Sequence, residues 1–494
     1  AAQHLPAYRL PQRLYEQGRE LFRHAKYEAA QAAFTNYQQQ TERYQNKPVQ
    51  DLRRTSAELY AAKCAYHLLK LDAEARFQTF LKDHPGHAGA TEARYYLAKL
   101  HFIKRKFDKA APHLKTLDRS LLAGERRNDA DLMLGFVHYQ EGDYGRAGQL
   151  LAPLTASMGP QHDQASYYLG LVRYREGQFE EALKLFKGIR SSPDYALKVP
   201  VYISAILLEQ QQYDRLETYG RGLLSDDRDY AQKGKIYEQI GTALHALGRN
   251  EEALDFLEKG MAATATPSRG LRYTLGRTYH ALGRDAKARG QLERVAEGED
   301  TLAQAASYHL GFLYTEAGQL QDAKFAFKRA HELALKPDFT RDALFEYGKA
   351  AFEAEDYTES VRALKAYLAA YPDAGNLDEI RGVLAEALYY TSNFRSALRF
   401  FEEAGQLSAR MKRAYQKVCI SFGLRQLEAG RPDSAEHLFT RALGLDAEPA
   451  LTQNAHFWLG ELHFRRGDNM AAAKHYNGHL TISGAEDHPL YAEA

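Results

Sequence analysis

Histidine spacing is the first place to look for chemistry in this chain. His475 and His479 stand four residues apart, which puts two imidazoles on one helix face where they could chelate a metal ion, but no third ligand can be assigned. Ordinary packing and surface roles are the favoured reading of such a pair, so neither a metal nor another cofactor is expected. His84 and His87 flank Pro85-Gly86 in a loop and carry no stronger signal. The run Asp226-Asp227-Arg228-Asp229 lacks the glycine and the terminal glutamate of a calcium loop, and reads as a solvated connection opening the next helix. There is no phosphate-cradling glycine loop, no nucleophile elbow and no zincin-type histidine helix. No catalytic residue is therefore assigned, and the chain is expected not to be an enzyme.

The strongest regularity is architectural. A small residue is followed about 12 positions later by alanine, and the pair returns about every 35 residues from Gly18 to Ala472. The first positions, here called anchors, are Gly18, Cys64, Ala98, Gly135, Gly170, Ser204, Gly241, Gly276, Gly311, Gly348, Ala385, Gly423 and Gly460. Their partners include Ala30, Ala110, Ala147, Ala182, Ala253, Ala288, Ala323, Ala397, Ala435 and Ala472, with Leu216 and Ser360 as departures. Small side chains at both places let two paired helices approach closely. Sixteen residues past the anchor stand Phe34, Leu114, Phe186, Leu257, Phe327, Phe401 and Phe439, on one apolar stripe of the second helix. Clusters such as Glu141-Gly142-Asp143-Tyr144 and Glu176-Gly177-Gln178-Phe179 end one helix and cap the next. Register is weaker in the second repeat, where Arg76 takes the alanine position, and in the sixth, where Gly220 replaces the bulky residue.

The set Tyr168-Leu169-Gly170, Arg173-Tyr174, Gly177-Gln178-Phe179, Ala182 and Phe186 resembles a tetratricopeptide repeat, and the likeness extends over nearly the whole chain. The resemblance implies an all-α, right-handed solenoid of about 13 helical hairpins forming one array over residues 1–494. Within it, residues 1–12 read as an extended arm containing Pro6 and Pro11. Residues 13–84 read as two irregular repeats with an insertion near 38–56, and 85–480 as regular repeats. Residues 481–494 read as the start of a further repeat, so the native chain is expected to continue. In such arrays the first helices line the concave face, which turns the residues three before and four after each anchor inward. The protein-binding groove implied in this way comprises Tyr95, Phe102, Tyr139, Tyr167, Tyr174, Tyr308, Phe345, Phe352, Phe457 and Phe464. Tyr and Phe are effective interface anchors, and they also serve as packing between adjacent repeats. Asparagine is missing from the inner position beside each anchor, which argues against a clamp for chaperone tails.

Composition narrows the partner class. With 65 Lys+Arg against 64 Asp+Glu, the 494-residue chain lacks the basic excess that nucleic-acid binding needs. No apolar run is long enough to span a bilayer. Cys64 and Cys419 lie about ten repeats apart and are expected to be separate buried thiols. The start at Ala1-Ala2-Gln3 suits either a mature end after signal-peptide cleavage or a trimmed chain. Phrases such as Ala303-Gln304-Ala305-Ala306-Ser307-Tyr308-His309-Leu310-Gly311 and Phe394-Arg395-Ser396-Ala397-Leu398 resemble the long periplasmic tetratricopeptide proteins of Bacteroidota, in the style of the Tol-Pal coordinator and outer-membrane assembly lipoproteins. This implies a non-enzymatic scaffold for protein partners in a periplasmic or outer-membrane complex. The alternative is an input module of a regulatory sensor whose output domain lies beyond residue 494, with a cytoplasmic location.

Overall fold

The computed structural model describes residues 5–42, 52–156, 158–226, 228–482 and 489–493. Among these residues 26 α-helices pair in chain order into thirteen hairpins, and there is no strand. Two compact units divide the chain, Ala1–Ala243 and Leu244–Ala494. The first holds six hairpins, from Leu5–Arg23 with Tyr27–Glu42 to Pro200–Glu209 with Tyr213–Leu224. The second holds another six, from Arg269–Ala281 with Asp285–Ala296 to Pro449–Arg465 with Asn469–Thr481. The division falls within the helix Lys233–Ala246, which opens the seventh hairpin.

In eight hairpins a glycine anchor meets the large residue sixteen positions on. A Cβ placed on Gly170 would lie 2.7 Å from the Phe186 ring, on Gly18 2.8 Å from Phe34, and on Gly135 2.8 Å from Leu151. Gly311 on Phe327 and Gly423 on Phe439 repeat the arrangement. Only hydrogen fits there, so the second helix seats its ring directly on the backbone of the first. The alanine column is sealed to match: Ala147, Ala182, Ala253, Ala288 and Ala323 are fully buried, and Leu216 and Ser360 are buried in the same place.

The turn is equally regular. Seven residues past the anchor the backbone enters the left-handed region in every hairpin, at glycine in Gly142, Gly177, Gly248, Gly283, Gly318, Gly430 and Gly467. Ala25, Leu69, Arg105, Gln211, Glu355 and Ser392 adopt the same conformation without being glycine. The Asp143 N–H donates to the His138 carbonyl (2.9 Å) and the Gly142 N–H to that of Tyr139 (3.1 Å), so the last carbonyls of the first helix are satisfied. Asp143, Asp356, Asn393 and Asp468 then cap the second helix by accepting from the N–H three residues on. At two junctions between hairpins a fully buried glutamine does the same work. Gln304 donates to the Ala330 carbonyl (3.0 Å) and Gln416 to that of Ala442 (3.1 Å), while their amide oxygens accept from the Lys336 and Glu448 N–H groups.

Several expectations change. Residues 5–12 are not an extended arm, because the first helix runs Leu5–Arg23 and takes Pro11 inside it. In the second hairpin the left-handed residue is Leu69, which makes Ala62 the anchor in place of Cys64. The buried alanine and ring of its second helix are then Ala73 and Phe77, and Arg76 faces solvent beside Asp72. The second helix is offset by one residue relative to the other hairpins, and this offset hid the motif. In the sixth hairpin Gly220 is compensated from outside, because Ile240 of the next helix occupies the space where its side chain would stand. The second helix of the first hairpin extends to Glu42, and residues 43–51 lie outside the described residues. Of the segment read as a further repeat, Tyr491–Glu493 form a single 3-10 turn, and 483–488 lie outside the described residues. Cys64 and Cys419 are buried free thiols, each pushed up to about 12 chiefly by burial.

Two substitutions test this account through thermal melting of the purified chain. Gly170→Ala forces a methyl against Phe186 and is expected to destabilise by about 1–3 kcal/mol; an unchanged melting temperature would show that the ring has free space. Gln211→Gly removes a strained left-handed residue and should stabilise by about 0.5–1 kcal/mol, so a lower melting temperature would contradict the turn geometry.

Candidate aromatic groove

The first helices of hairpins three to five, Ala90–Ile103, Glu125–Gln140 and His162–Arg175, present successive faces to a cavity of about 760 Å3 in the first unit. Aromatic rings run across it. Phe136 stands at the centre, 5.3 Å from Phe102, 4.8 Å from Phe107 and 4.8 Å from Tyr168, and the row continues through Tyr167 to Tyr195 at 5.0 Å. Offset and edge-on contacts of this kind hold the rings in place, so the apolar surface is preformed.

Polar groups on the inner faces are mostly spent between neighbouring hairpins. Lys99 Nζ lies 2.6 Å from the Asp129 carboxylate, to which the Tyr95 hydroxyl also donates at 2.6 Å. Burial and then that bond hold the Tyr95 hydroxyl far above the usual phenol range. In the second unit Lys349 faces Glu379 at 3.7 Å, and Arg410 forms a two-pronged pair with Glu386 at 2.8 and 2.7 Å. Arg105 is different. It projects from the turn at the rim of the cavity, exposed, and no carboxylate among the described residues pairs with it. Lys99 and Arg105 line the cavity against the one carboxylate of Asp129, so its lining carries more positive than negative charge.

Of the ten residues expected to form the groove, Phe102, Tyr139 and Tyr167 meet in this cavity. Tyr174 is half-buried against Phe179 and outside the lining. Tyr95, Phe345 and Phe457 are not groove residues, being 3, 7 and 3% exposed. All three stand three before their anchors and turn into the interior, whereas Tyr167 in the same column lines the cavity: Phe345 packs on Tyr367 and Phe457 on Tyr476 of their own second helices, and Tyr95 bonds across to the next hairpin. The position four after the anchor stays open, with Phe352 half-buried beside Tyr357 and Tyr390 and Phe464 61% exposed. Tyr308 is half-buried among Phe312, Phe327 and Phe339. Ile103, Arg105, Phe107 and Tyr168 also line the cavity and were not anticipated; Phe136 lines it from the inner position beside its anchor. Phe107 is the aromatic that follows the turn, and Tyr168 lies two before its anchor, a column that the inward-position rule passes over. His84, His87 and Asp226 all make hydrogen bonds. His84 bonds Glu58 at 2.9 Å, and His87 Nδ1 accepts from the Gly89 N–H. Asp226 accepts from Arg228 and Tyr230, and Asp227 lies outside the described residues.

The second unit has a titratable cluster in place of an open aromatic row. His309 lies against Tyr273, Tyr308 and Phe339, and burial followed by the charges of Arg277, His280 and His245 pushes it down to about 4. The unfolded imidazole titrates near 6.5 and the folded one near 4. Between those values the unfolded chain binds the extra proton, and stability falls as pH drops. The loss is on the order of 3 kcal/mol, complete near pH 4 and absent above 6.5. His309→Phe should flatten the fall in melting temperature between pH 7 and 4.5; parallel curves for the two proteins would remove His309 as the cause.

A stack of helical hairpins with an open, ring-lined inner cavity defines a helical-repeat protein of the kind that holds other proteins. Profiles of the tetratricopeptide repeat match residues 71–121, 132–196, 234–265, 342–374 and 421–487, together about half of the chain. The chain belongs to the tetratricopeptide repeat family, a protein-interaction fold. No curated protein matches it in sequence. Among solved structures it is similar to PilW, a type IV pilus biogenesis factor, at 19% identity and TM-score 0.37 over 45% of this chain and 99% of that one. It is also similar to YrrB, a tetratricopeptide protein with an unusual peptide-binding site, at 20% and 0.33 over 38% and 93%. The C-terminal part of a tetratricopeptide protein of Cytophaga hutchinsonii matches at 15% and 0.33 over 58% and 98%.

Proposed function

We propose that this protein is a non-catalytic scaffold that captures an extended segment of a partner protein in the aromatic cavity of hairpins three to five. The carrying observation is the preformed row Phe102, Phe107, Phe136 and Tyr168 beside Arg105, a rim cation without a carboxylate partner among the described residues. An apolar or aromatic side chain of the partner fills the cavity, and an acidic residue next to it pairs with Arg105. The backbone groups of the lining helices are already bonded within those helices, so recognition rests on side chains. The resemblance to long periplasmic tetratricopeptide proteins of Bacteroidota supports placing this scaffold in a cell-envelope complex; recovery of the native protein only from the cytosolic fraction would count against that location.

Ile103 and Arg105 are both exposed at the cavity, so they can be changed without opening the core. Ile103→Ser combined with Arg105→Glu should abolish cross-linked capture of the partner identified with the wild-type protein in its host. Interface anchors of this kind are worth about 2 kcal/mol or more, and helical content should not change. Undiminished capture of that partner by the double variant would remove the groove from the function.

A further inference from the structure

Four of the chain's 19 histidines, His456, His463, His475 and His479, fall within the last hairpin. The structure brings two of them together across its helices. Nδ1 of His456, on Pro449–Arg465, lies 3.2 Å from Nδ1 of His475, on Asn469–Thr481. A tetrahedral ion with metal–nitrogen bonds of about 2.0–2.1 Å holds adjacent donors about 3.3–3.4 Å apart. His463 stacks parallel on His475 with centroids 5.5 Å apart, and its own Nε2 faces Glu436 Oε1 at 3.8 Å. The neighbouring helical pair behaves differently: His479 is fully buried and donates its Nδ1–H to the Gln453 carbonyl at 2.9 Å.

We infer that His456 and His475 form a chelate for a borderline divalent cation of the Zn2+, Co2+ or Ni2+ class, with His463 as the nearest additional imidazole. Both rings are half-buried, which leaves room for solvent to complete the coordination. Such an ion would bridge the two helices of this hairpin.

Titration of the metal-free full chain with Co2+, read by its visible ligand-field absorption, tests this directly, with Zn2+ displacement as the second readout. Wild type should develop a histidine-ligated Co2+ spectrum that Zn2+ abolishes, and Zn2+ should raise the melting temperature. His456→Gln and His475→Gln should each weaken binding by about tenfold or more, with circular dichroism confirming that the variants fold. A separate cluster in the second unit, His280, Asp285 and Glu316, also has three donor atoms within 4.8 Å of one another, and Asp285→Asn is the control for it. No Co2+ spectrum in the wild type would reduce the histidine pair to an ordinary N–H···N bond and overturn the inference. So would binding lost in Asp285→Asn but retained in both histidine variants.

Discussion

The close approach of a glycine backbone to the ring or branched side chain sixteen residues later is the contact on which the rest of this protein depends. At Gly170 and Phe186, as at Gly18 and Phe34, a single hydrogen separates the helices where any other residue would place a methyl. That contact sets how near the two helices stand and which face of each is left for the next hairpin. The alanine column seals the same seam, so the core is a series of local clusters. One example is Leu132, Ala147, Leu151, Leu154, Ala165, Leu169 and Val172, made only from hairpins four and five. Stability in such an array is a sum of neighbouring terms, and a local defect such as Gly220 can be repaired by a single residue of the next helix.

The same economy shapes the inner surface. Charged residues on the first helices are taken up by partners one hairpin away, as Lys99 is by Asp129 and Glu386 by Arg410. These pairs fix neighbouring hairpins side by side while cancelling the charge they would show to a ligand. What remains available is the aromatic row of the first unit and the few groups left out of that pairing, Arg105 foremost. In the second unit the equivalent region is filled by His309 and the rings around it, and burial there suppresses protonation. The two units thus use one scaffold for different surfaces.

Much of this was legible in the residues alone. The number of hairpins, the anchors and the seam alanines follow from a spacing that only close-packed helix pairs require, and about ten repetitions in register override weakness in any one motif. Legibility failed where the interval shifted by a residue or two. In the second hairpin Cys64 and Arg76 stood in for Ala62 and Ala73, and near the first helix Pro6 and Pro11 read as an arm although Pro11 lies inside a helix. The glutamines that close the junctions were invisible as well, because Gln304 and Gln416 earn their role from carbonyls left open by helices ending about 26 residues away.

Sequence by itself determined the repeating unit, since periodic small and large residues encode contacts within a hairpin, where partners lie at constant separation along the chain. Tertiary structure decided which inward residues are available to a ligand. Tyr95 and Phe102 belong to the same stripe of one helix, yet Tyr95 is buried by its bond to the next hairpin and Phe102 opens on the cavity. It likewise paired His475 with His456 across two helices, when the spacing along one helix had suggested His479. Both outcomes depend on how neighbouring helices cover a side chain, and the distance between helices has no fixed counterpart in the distance along the chain.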